Sequence, residues 1–408
     1  MKLRDYQEEL SSKACQILDK YKIVYIAMET RTGKTITALS AAKKCGFLRI
    51  LFVTKKKAIG SVVNDTGHFP DLQVVVINYE SLHKIEGVYD LIIVDEAHSI
   101  GAFPKPAKRV KDLLQFTKNK PIILLSATPT PESFSQIYHQ LFISSYSPFK
   151  EYKSFYKWAK DFVKVKKKYI YNREINDYST ADIDKITSLI NHLFINFTQE
   201  EAGFEYKINE VVLKIKPDPK QIKAIEILKR DLVLPTKSGD TILADTAVKL
   251  QNKIHQICSG TVIAESGKSY VITKNKALFI KEYFKDQKIA IFYKFKQEFE
   301  ILKQLFPHWT SSPEEFQSNK NKTFLSQFQS GREGIRLDSA DSIIFYNIDF
   351  SYLSYAQARE RIISKERKKE ANLYWIFIEG GIEEKIYKIV NQKKDYTVHY
   401  FKKDFLKK

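Results

Sequence analysis

Five short apolar runs punctuate the first 130 residues: Ile23-Val24-Tyr25-Ile26-Ala27, Ile50-Leu51-Phe52-Val53, Val74-Val75-Val76-Ile77, Leu91-Ile92-Ile93-Val94 and Ile122-Ile123-Leu124-Leu125. They are too continuous to alternate between a wet and a dry face. Each therefore predicts a strand covered on both sides, the habit of a parallel sheet between helical layers. Amphipathic segments such as 35–44 lie between them and supply the crossovers of an α/β domain. A second block, from about 288 to 380, repeats the pattern in Ile289-Ala290-Ile291-Phe292-Tyr293, Ser342-Ile343-Ile344-Phe345-Tyr346 and Leu373-Tyr374-Trp375-Ile376-Phe377. Helical patterns at 296–305, 354–363 and 382–391 accompany it. At about 150 residues per domain, a chain of 408 residues holds two or three. The expectation is an α/β protein with two parallel-sheet lobes. The first spans 1–148. The second spans 208–408 and opens with a strand at 208–216 and helices at 217–232 and 245–258. A basic, aromatic-rich helical insertion, 149–207, separates them.

In that insertion Phe155, Trp158 and Phe162 recur at helical spacing, while Lys153, Lys157, Lys160 and Lys164 take other faces and Lys166-Lys167-Lys168 follows. From Lys150 to Lys168 eight lysines are opposed only by Glu151 and Asp161, a net +6. The whole chain carries 67 Lys+Arg against 48 Asp+Glu, a formal charge of +19. The simplest physical use of such an excess is a polyanion partner, because lysines and arginines that neutralise phosphates release counterions. A Lys-rich composition with solvated basic faces is the plainer alternative. Cys15, Cys45 and Cys258 read as lone thiols, giving neither a disulfide framework nor metal-ligand spacing. No run approaches the 18 apolar residues of a membrane span, and the polar start Met1–Glu9 lacks the apolar segment of a signal peptide. A soluble, cytoplasmic protein without a membrane partner is expected.

The chemistry sits where the apolar runs end. Glu29-Thr30-Arg31-Thr32-Gly33-Lys34-Thr35 follows one run and opens a helix, the setting of a phosphate-binding loop. Thr32, Gly33 and the amides at the helix start would cradle a β-phosphate, Lys34 would reach the β and γ oxygens, and Thr35 would ligate Mg²⁺. The run 91–94 ends in Asp95-Glu96-Ala97-His98. There Asp95 would hold Mg²⁺ and Glu96 would polarise an attacking water as general base. Two carboxylates that merely cap the next helix are the alternative for this segment alone. Loop and acid pair together point to hydrolysis of a nucleoside triphosphate.

Asp95-Glu96-Ala97-His98, with Ser126-Ala127-Thr128 some 30 residues on, resembles the superfamily 2 helicases and translocases. The likeness continues in order. Leu3-Arg4-Asp5-Tyr6-Gln7 resembles their adenine-recognition motif, with Arg4 and above all Gln7 as base readers. Phe52-Val53-Thr54-Lys55 and Asn78-Tyr79-Glu80 stand where first-lobe motifs touch nucleic acid, which implies contacts from Lys55, Asn78 and Tyr79. Ile291-Phe292-Tyr293 resembles the first strand motif of the second lobe. Ser330-Gly331-Arg332-Glu333-Gly334-Ile335 resembles the loop that meets both nucleic acid (Ser330, Gly331, Arg332) and ATP (Gly334). Gln357-Ala358-Arg359-Glu360-Arg361 resembles the arginine-finger helix, with Gln357 in a coupling role. The form of that helix, and Gly381-Ile382-Glu383-Glu384-Lys385-Ile386 after it, are most similar to the Swi/Snf-like double-stranded DNA translocases, in a compact size like that of phage or prophage members.

The resemblance implies two RecA-like lobes clamping ATP and Mg²⁺ between Lys34, Thr35, Asp95 and Glu96 on one side and Arg361 on the other. His98 would couple that site to Ser126 and Thr128. Movement along duplex DNA through phosphate-backbone contacts follows, with the 150–168 region adding a duplex contact or docking a protein partner. A strand-separating DNA helicase, an RNA-directed helicase and a nucleic-acid-binding module with weak ATPase are the competing readings. Two positions depart from the family pattern. Arg31 stands where glycine commonly precedes Gly-Lys-Thr by two residues, and Ser364 stands where a second finger arginine is usual.

Overall fold

The computed structural model describes residues 2–170, 173–203, 208–328, 337, 339–351, 355 and 371–392. The chain divides into two compact units, Met1–Phe204 and Glu205–Lys408. Each is built on a six-stranded sheet whose neighbours are all parallel, the two-lobed α/β class expected.

In the first unit the strands are β1 (Ile23–Met28), β2 (Arg49–Thr54), β3 (Gln73–Asn78), β4 (Leu91–Val94), β5 (Ile122–Leu125) and β8 (Phe194–Phe197), in the spatial order β3-β2-β4-β5-β1-β8. A separate antiparallel ribbon pairs β6 (Lys166–Ile170) with β7 (Arg173–Asp177). The apolar runs are continuous because both faces of the sheet are dry. Tyr25, Leu51, Val53, Ile92, Val94 and Leu124 enter one core, while Val24, Ile26, Ile50, Phe52, Ile93 and Leu125 enter the other. The helices are α1 (Asp5–Tyr21), α2 (Lys34–Lys44), α3 (Ile59–Thr66), α4 (Lys108–Thr117), α5 (Ile137–Phe142), α6 (Phe155–Phe162) and α7 (Ile183–Ile190).

Of the stretch 149–207, expected as a helical region between the lobes, the described part up to residue 203 is folded into the first unit. Its aromatics Phe155, Trp158 and Phe162 lie in the same core as β1 and β4, β8 adds the sixth strand beside β1, and the basic run becomes one side of the ribbon. A second difference concerns the cysteines. Cys15 of α1 and Cys45 at the end of α2 are joined as a disulfide, their Cα atoms 5.6 Å apart, while Cys258 is free and buried. Their pairing follows from the close packing of α1 on α2, along which Ser40 Oγ meets Ser11 Oγ at 3.2 Å and Lys44 Nζ meets Glu8 Oε1 at 2.7 Å.

In the second unit β9 (Ile208–Ile215) is followed by two small hairpins, β10 (Val233–Pro235) with β11 (Thr241–Leu243) and β12 (Thr261–Ile263) with β13 (Ser269–Val271). The sheet is completed by β14 (Ile289–Tyr293), β15 (Trp309–Thr310), β16 (Thr323–Gln327), β17 (Ser342–Phe345) and β18 (Ala371–Ile378), in the order β15-β16-β14-β17-β18-β9. The helices predicted at 217–232, 245–258, 296–305 and 382–391 form at Pro219–Asp231, Ala247–Cys258, Lys296–Leu305 and Ile382–Val390. The helical pattern at 354–363 lies almost wholly outside the described residues.

Candidate functional site

Every first-unit motif singled out from the sequence, apart from the one at the start of α1, falls just beyond the carboxyl end of a strand in one sheet. The phosphate loop follows β1, Lys55 follows β2, Asn78 ends β3, the acid pair follows β4 and Ser126 follows β5. Carboxyl ends of parallel strands are where open α/β sheets bind ligands, because the loops there gather while the helices cover the faces.

The loop turns tightly at two left-handed residues, Arg31 (φ 61°) and Gly33 (φ 86°). Arg31 thus takes the backbone conformation for which glycine is usual, at a cost of about 1–2 kcal/mol for a side-chain-bearing residue. At Gly33 there is also no room for a side chain, since a Cβ would run into Gln7 Nε2. Gln7 is buried at the start of α1, where its Oε1 accepts the Arg4 backbone N–H (3.1 Å). Arg4 Nη1 donates to the Tyr6 hydroxyl at 2.8 Å, and that hydroxyl donates to the Thr32 carbonyl at 3.0 Å. Thr32 is itself buried, its Oγ1 donating to the Glu29 carbonyl (2.7 Å). The Arg4–Gln7 segment is therefore pinned to the Glu29–Thr35 loop through Tyr6 as well as Gln7. Lys34 opens α2 and its Nζ donates to the carbonyls of Met28 (2.9 Å) and Glu29 (3.1 Å). Thr35, partly exposed, follows it.

The sheet edge braces the loop from the other side. Gln199, just past β8, donates its backbone N–H to Glu29 Oε2 (2.7 Å) and its side-chain amide to the Thr30 carbonyl (2.9 Å). Nothing in the sequence around Gln199 marks it.

Beyond β4, Asp95 and Glu96 stand side by side, with Glu96 in the left-handed region (φ 52°). Burial, and next the neighbouring Glu96 charge, push the Asp95 carboxyl up to about 6, against the pull of Thr54 and Lys34. Thr54 Oγ1 donates to Asp95 Oδ2 at 2.7 Å, and the Tyr79 hydroxyl donates to the Asp95 carbonyl. Tyr79, expected as a nucleic-acid contact, is placed by these bonds next to the acid pair. It is 1% exposed, with the Arg109 guanidinium over its ring, and it supports the acid pair from inside the core. Asn78 is also largely buried, whereas Lys55 is partly exposed.

His98 joins two elements. Its Nδ1 lies 3.1 Å from Glu96 Oε2 and 2.9 Å from Ser126 Oγ, which in turn accepts the Thr128 backbone N–H at 3.1 Å. Burial holds the imidazole below its ordinary pKa, Glu96 opposing this and Lys55 and Lys34 reinforcing it. Neutral His98 thus links the general-base candidate to the segment after β5. The remaining candidates, Ser330, Gly331, Arg332, Gly334, Gln357 and Arg361, lie outside the described residues.

The model of the SNF2-related domain matches residues 35–263, and that of the type III restriction enzyme res subunit matches residues 1–65. Among curated proteins, the chromatin-remodeling ATPase INO80 of Cryptococcus neoformans is 33% identical over 87 residues, covering 21% of this chain and 5% of that protein. The helicase SWR1 of Candida glabrata is 26% identical over 206 residues, covering 42% of this chain and 14% of that protein. The matches thus span only a small part of these relatives. A solved structure, the Sulfolobus solfataricus SWI2/SNF2 ATPase core in complex with dsDNA, aligns with a TM-score of 0.44 and 16% identity over 99% of this chain and 93% of that one. With more than half of its length matching the SNF2-related domain, and a phosphate loop, acid pair and His98 link gathered at one sheet edge, the chain belongs to the SNF2-related family of helicase-like ATPases.

Proposed function

We propose that the protein is a DNA-dependent ATPase that couples hydrolysis of Mg²⁺–ATP to movement along duplex DNA. The observation that carries this reading is the convergence of Lys34, Thr35, Asp95 and Glu96 at the carboxyl edge of a single sheet, with His98 tying Glu96 to Ser126. The hydroxyl of Thr35 and the carboxylate of Asp95 are hard oxygen donors that suit Mg²⁺. The crowding of Asp95 against Glu96, which raises its pKa, is what a bound divalent cation relieves. Bound there, the ion would neutralise charge on the phosphates. Lys34 would hold the β and γ oxygens, Glu96 would take the proton of the attacking water, and Gln7 would read the base beside Gly33. The +19 charge supports a nucleic-acid substrate held mainly by its phosphates, with little sequence preference.

The test is ATP turnover with no polymer, duplex DNA, single-stranded DNA and RNA, each at low and moderate salt, with Lys34→Ala as control. Strong stimulation by duplex DNA that disappears in the control is the expected result. Better stimulation by RNA, or by single strands with fork unwinding, would replace the duplex reading by a strand-separating one. Binding without hydrolysis under any condition would leave a nucleic-acid clamp.

A further inference from the structure

We propose that the lysine stripe on α6 and the adjoining ribbon, Lys153, Lys157, Lys160, Lys164, Lys166 and Lys167, is an auxiliary contact to the phosphate backbone of duplex DNA. The inference rests on the reading of the protein as a DNA-dependent ATPase and adds a surface remote from the nucleotide loop in sequence. All six lysines are exposed. Lys157 and Lys160 stand opposite the face that buries Phe155, Trp158, Ala159 and Phe162, while Lys153 lies just before the Ser154 cap and Lys164 just after the extended Val163. Lys157 and Lys160, like charges three residues apart on α6, disfavour each other, a repulsion that an anion outside the helix would relieve. Among the described residues no carboxylate lies within ion-pair distance of Lys153, Lys157, Lys160, Lys164 or Lys166, and Asp161 is engaged by the Tyr152 hydroxyl at 2.8 Å; only Lys167 is paired, with Glu174 at 2.7 Å.

The platform is firm. Ser154 caps α6, Trp158 and Phe155 pack on Tyr138, and the ribbon base is closed by Lys164 N–H to the Thr180 carbonyl and Asp182 N–H to the Phe162 carbonyl, both 2.8 Å. At 1.5 Å per residue the eight residues of α6 span about 12 Å, over which a duplex presents about seven phosphates. It is also tied to the nucleotide-linked segment. Ser133 Oγ and Ser135 Oγ, a few residues beyond Ser126 and Thr128, donate to the carbonyls of Ser179 (2.7 Å) and Tyr178 (2.5 Å), which lead out of the ribbon.

The experiment is the salt dependence of duplex binding by the full chain in three forms. These are wild type, the stripe variant K153Q/K157Q/K160Q/K164Q, and a control removing equal charge from exposed lysines of the second unit, K237Q/K268Q/K281Q/K285Q. The slope of log affinity against log salt is expected to shrink by about 0.9 for each lysine that neutralises a phosphate in the stripe variant only. DNA-free ATP turnover should stay unchanged, and the four-arginine version should restore the slope. Equal slopes for the stripe variant and the control would overturn the stripe while leaving the ATPase reading intact. Absence of duplex binding by the wild type would overturn both.

Discussion

The two units treat charge at their strand ends in opposite ways. In the first, Asp95 and Glu96 are adjacent carboxylates on successive residues, and burial and repulsion raise Asp95. In the second, the residues after β14 and β17 form a closed network. Glu298, fully buried, accepts the backbone N–H groups of Lys294 (2.7 Å) and Phe295 (2.9 Å) on one oxygen and Asn347 Nδ2 (3.1 Å) on the other. Asn347 also reaches Ser259 and His255, and Lys276, 0% exposed, is paired with buried Glu383 and donates to the Tyr346 carbonyl at 2.9 Å. One sheet thus carries concentrated negative charge at its edge, while the other surrounds buried Glu298 with N–H donors and pairs buried Lys276 with Glu383. Concentrated charge is the property of a site that takes a cation and a phosphate. Paired charge belongs to a scaffold, where removing one partner is costly because the other is left buried.

The contrast can be broken most directly at the two glutamates. Glu96→Gln should lower kcat for ATP by about 10²- to 10⁴-fold, the worth of a general base, with the melting temperature little changed. Glu298→Gln should do the reverse, leaving turnover per folded molecule intact. Near-normal turnover by Glu96→Gln would remove Glu96 from the chemistry. Next in size, Glu383→Ala strands Lys276 in the second unit and should cost about 3–5 kcal/mol in denaturant unfolding. The double variant Lys276→Met/Glu383→Leu should recover most of that, and a single-variant loss under 1 kcal/mol would mean the pair is not closed in solution.

Acid sharpens the comparison further. His255 is fully buried, and burial, then Lys294 and Lys276, hold it well below its ordinary value, with Asn347 as the partner that favours the charged form. A histidine whose pKa falls on folding lends stability that is present above its unfolded value, about 6.5, and is lost as pH drops below it. Glu383, raised by burial, acts with the opposite sign. The melting temperature should therefore fall below pH 6.5, and His255→Asn should flatten that part of the profile; an unchanged profile in the variant would assign the loss elsewhere. The smallest effect expected is that of Tyr79→Phe. Losing the hydroxyl that holds the Asp95 carbonyl should cost about 1 kcal/mol and raise KM for Mg²⁺–ATP a few-fold without altering the salt slope for DNA. A weakened DNA interaction with unchanged nucleotide kinetics would return Tyr79 to the nucleic-acid surface.

Much of this was legible in the residues. The runs after which Gly33, Asp95 and Ser126 fall are continuous because each strand feeds two cores at once, so the same feature that marked the sheet also marked where its ligand edge would lie. Gln7 was singled out by its place in a motif, whereas its closeness to Gly33 and the bond from Tyr6 to the loop emerge only when α1 packs on it. What the residues concealed depends on contacts between distant segments. Phe194-Ile195-Asn196-Phe197 is short and broken by a polar residue, so nothing local announced an edge strand. Cys15 and Cys45, 30 positions apart, carry no spacing signature. Tyr79 sits beside plausible contact residues in sequence, but the strand end turns it inward beneath Asp95.

Because Gln199 and β8 complete the cradle around Glu29 and Thr30, the order in which the chain leaves the ribosome matters. The loop and all other strands of the first sheet are synthesised by residue 125, yet β1 has an uncovered flank until some 70 residues later. An open parallel edge of Tyr25, Ile26 and Met28 invites pairing with other chains. Fragments ending near residue 148 should accordingly aggregate, whereas those ending after Phe204 should carry a finished first unit.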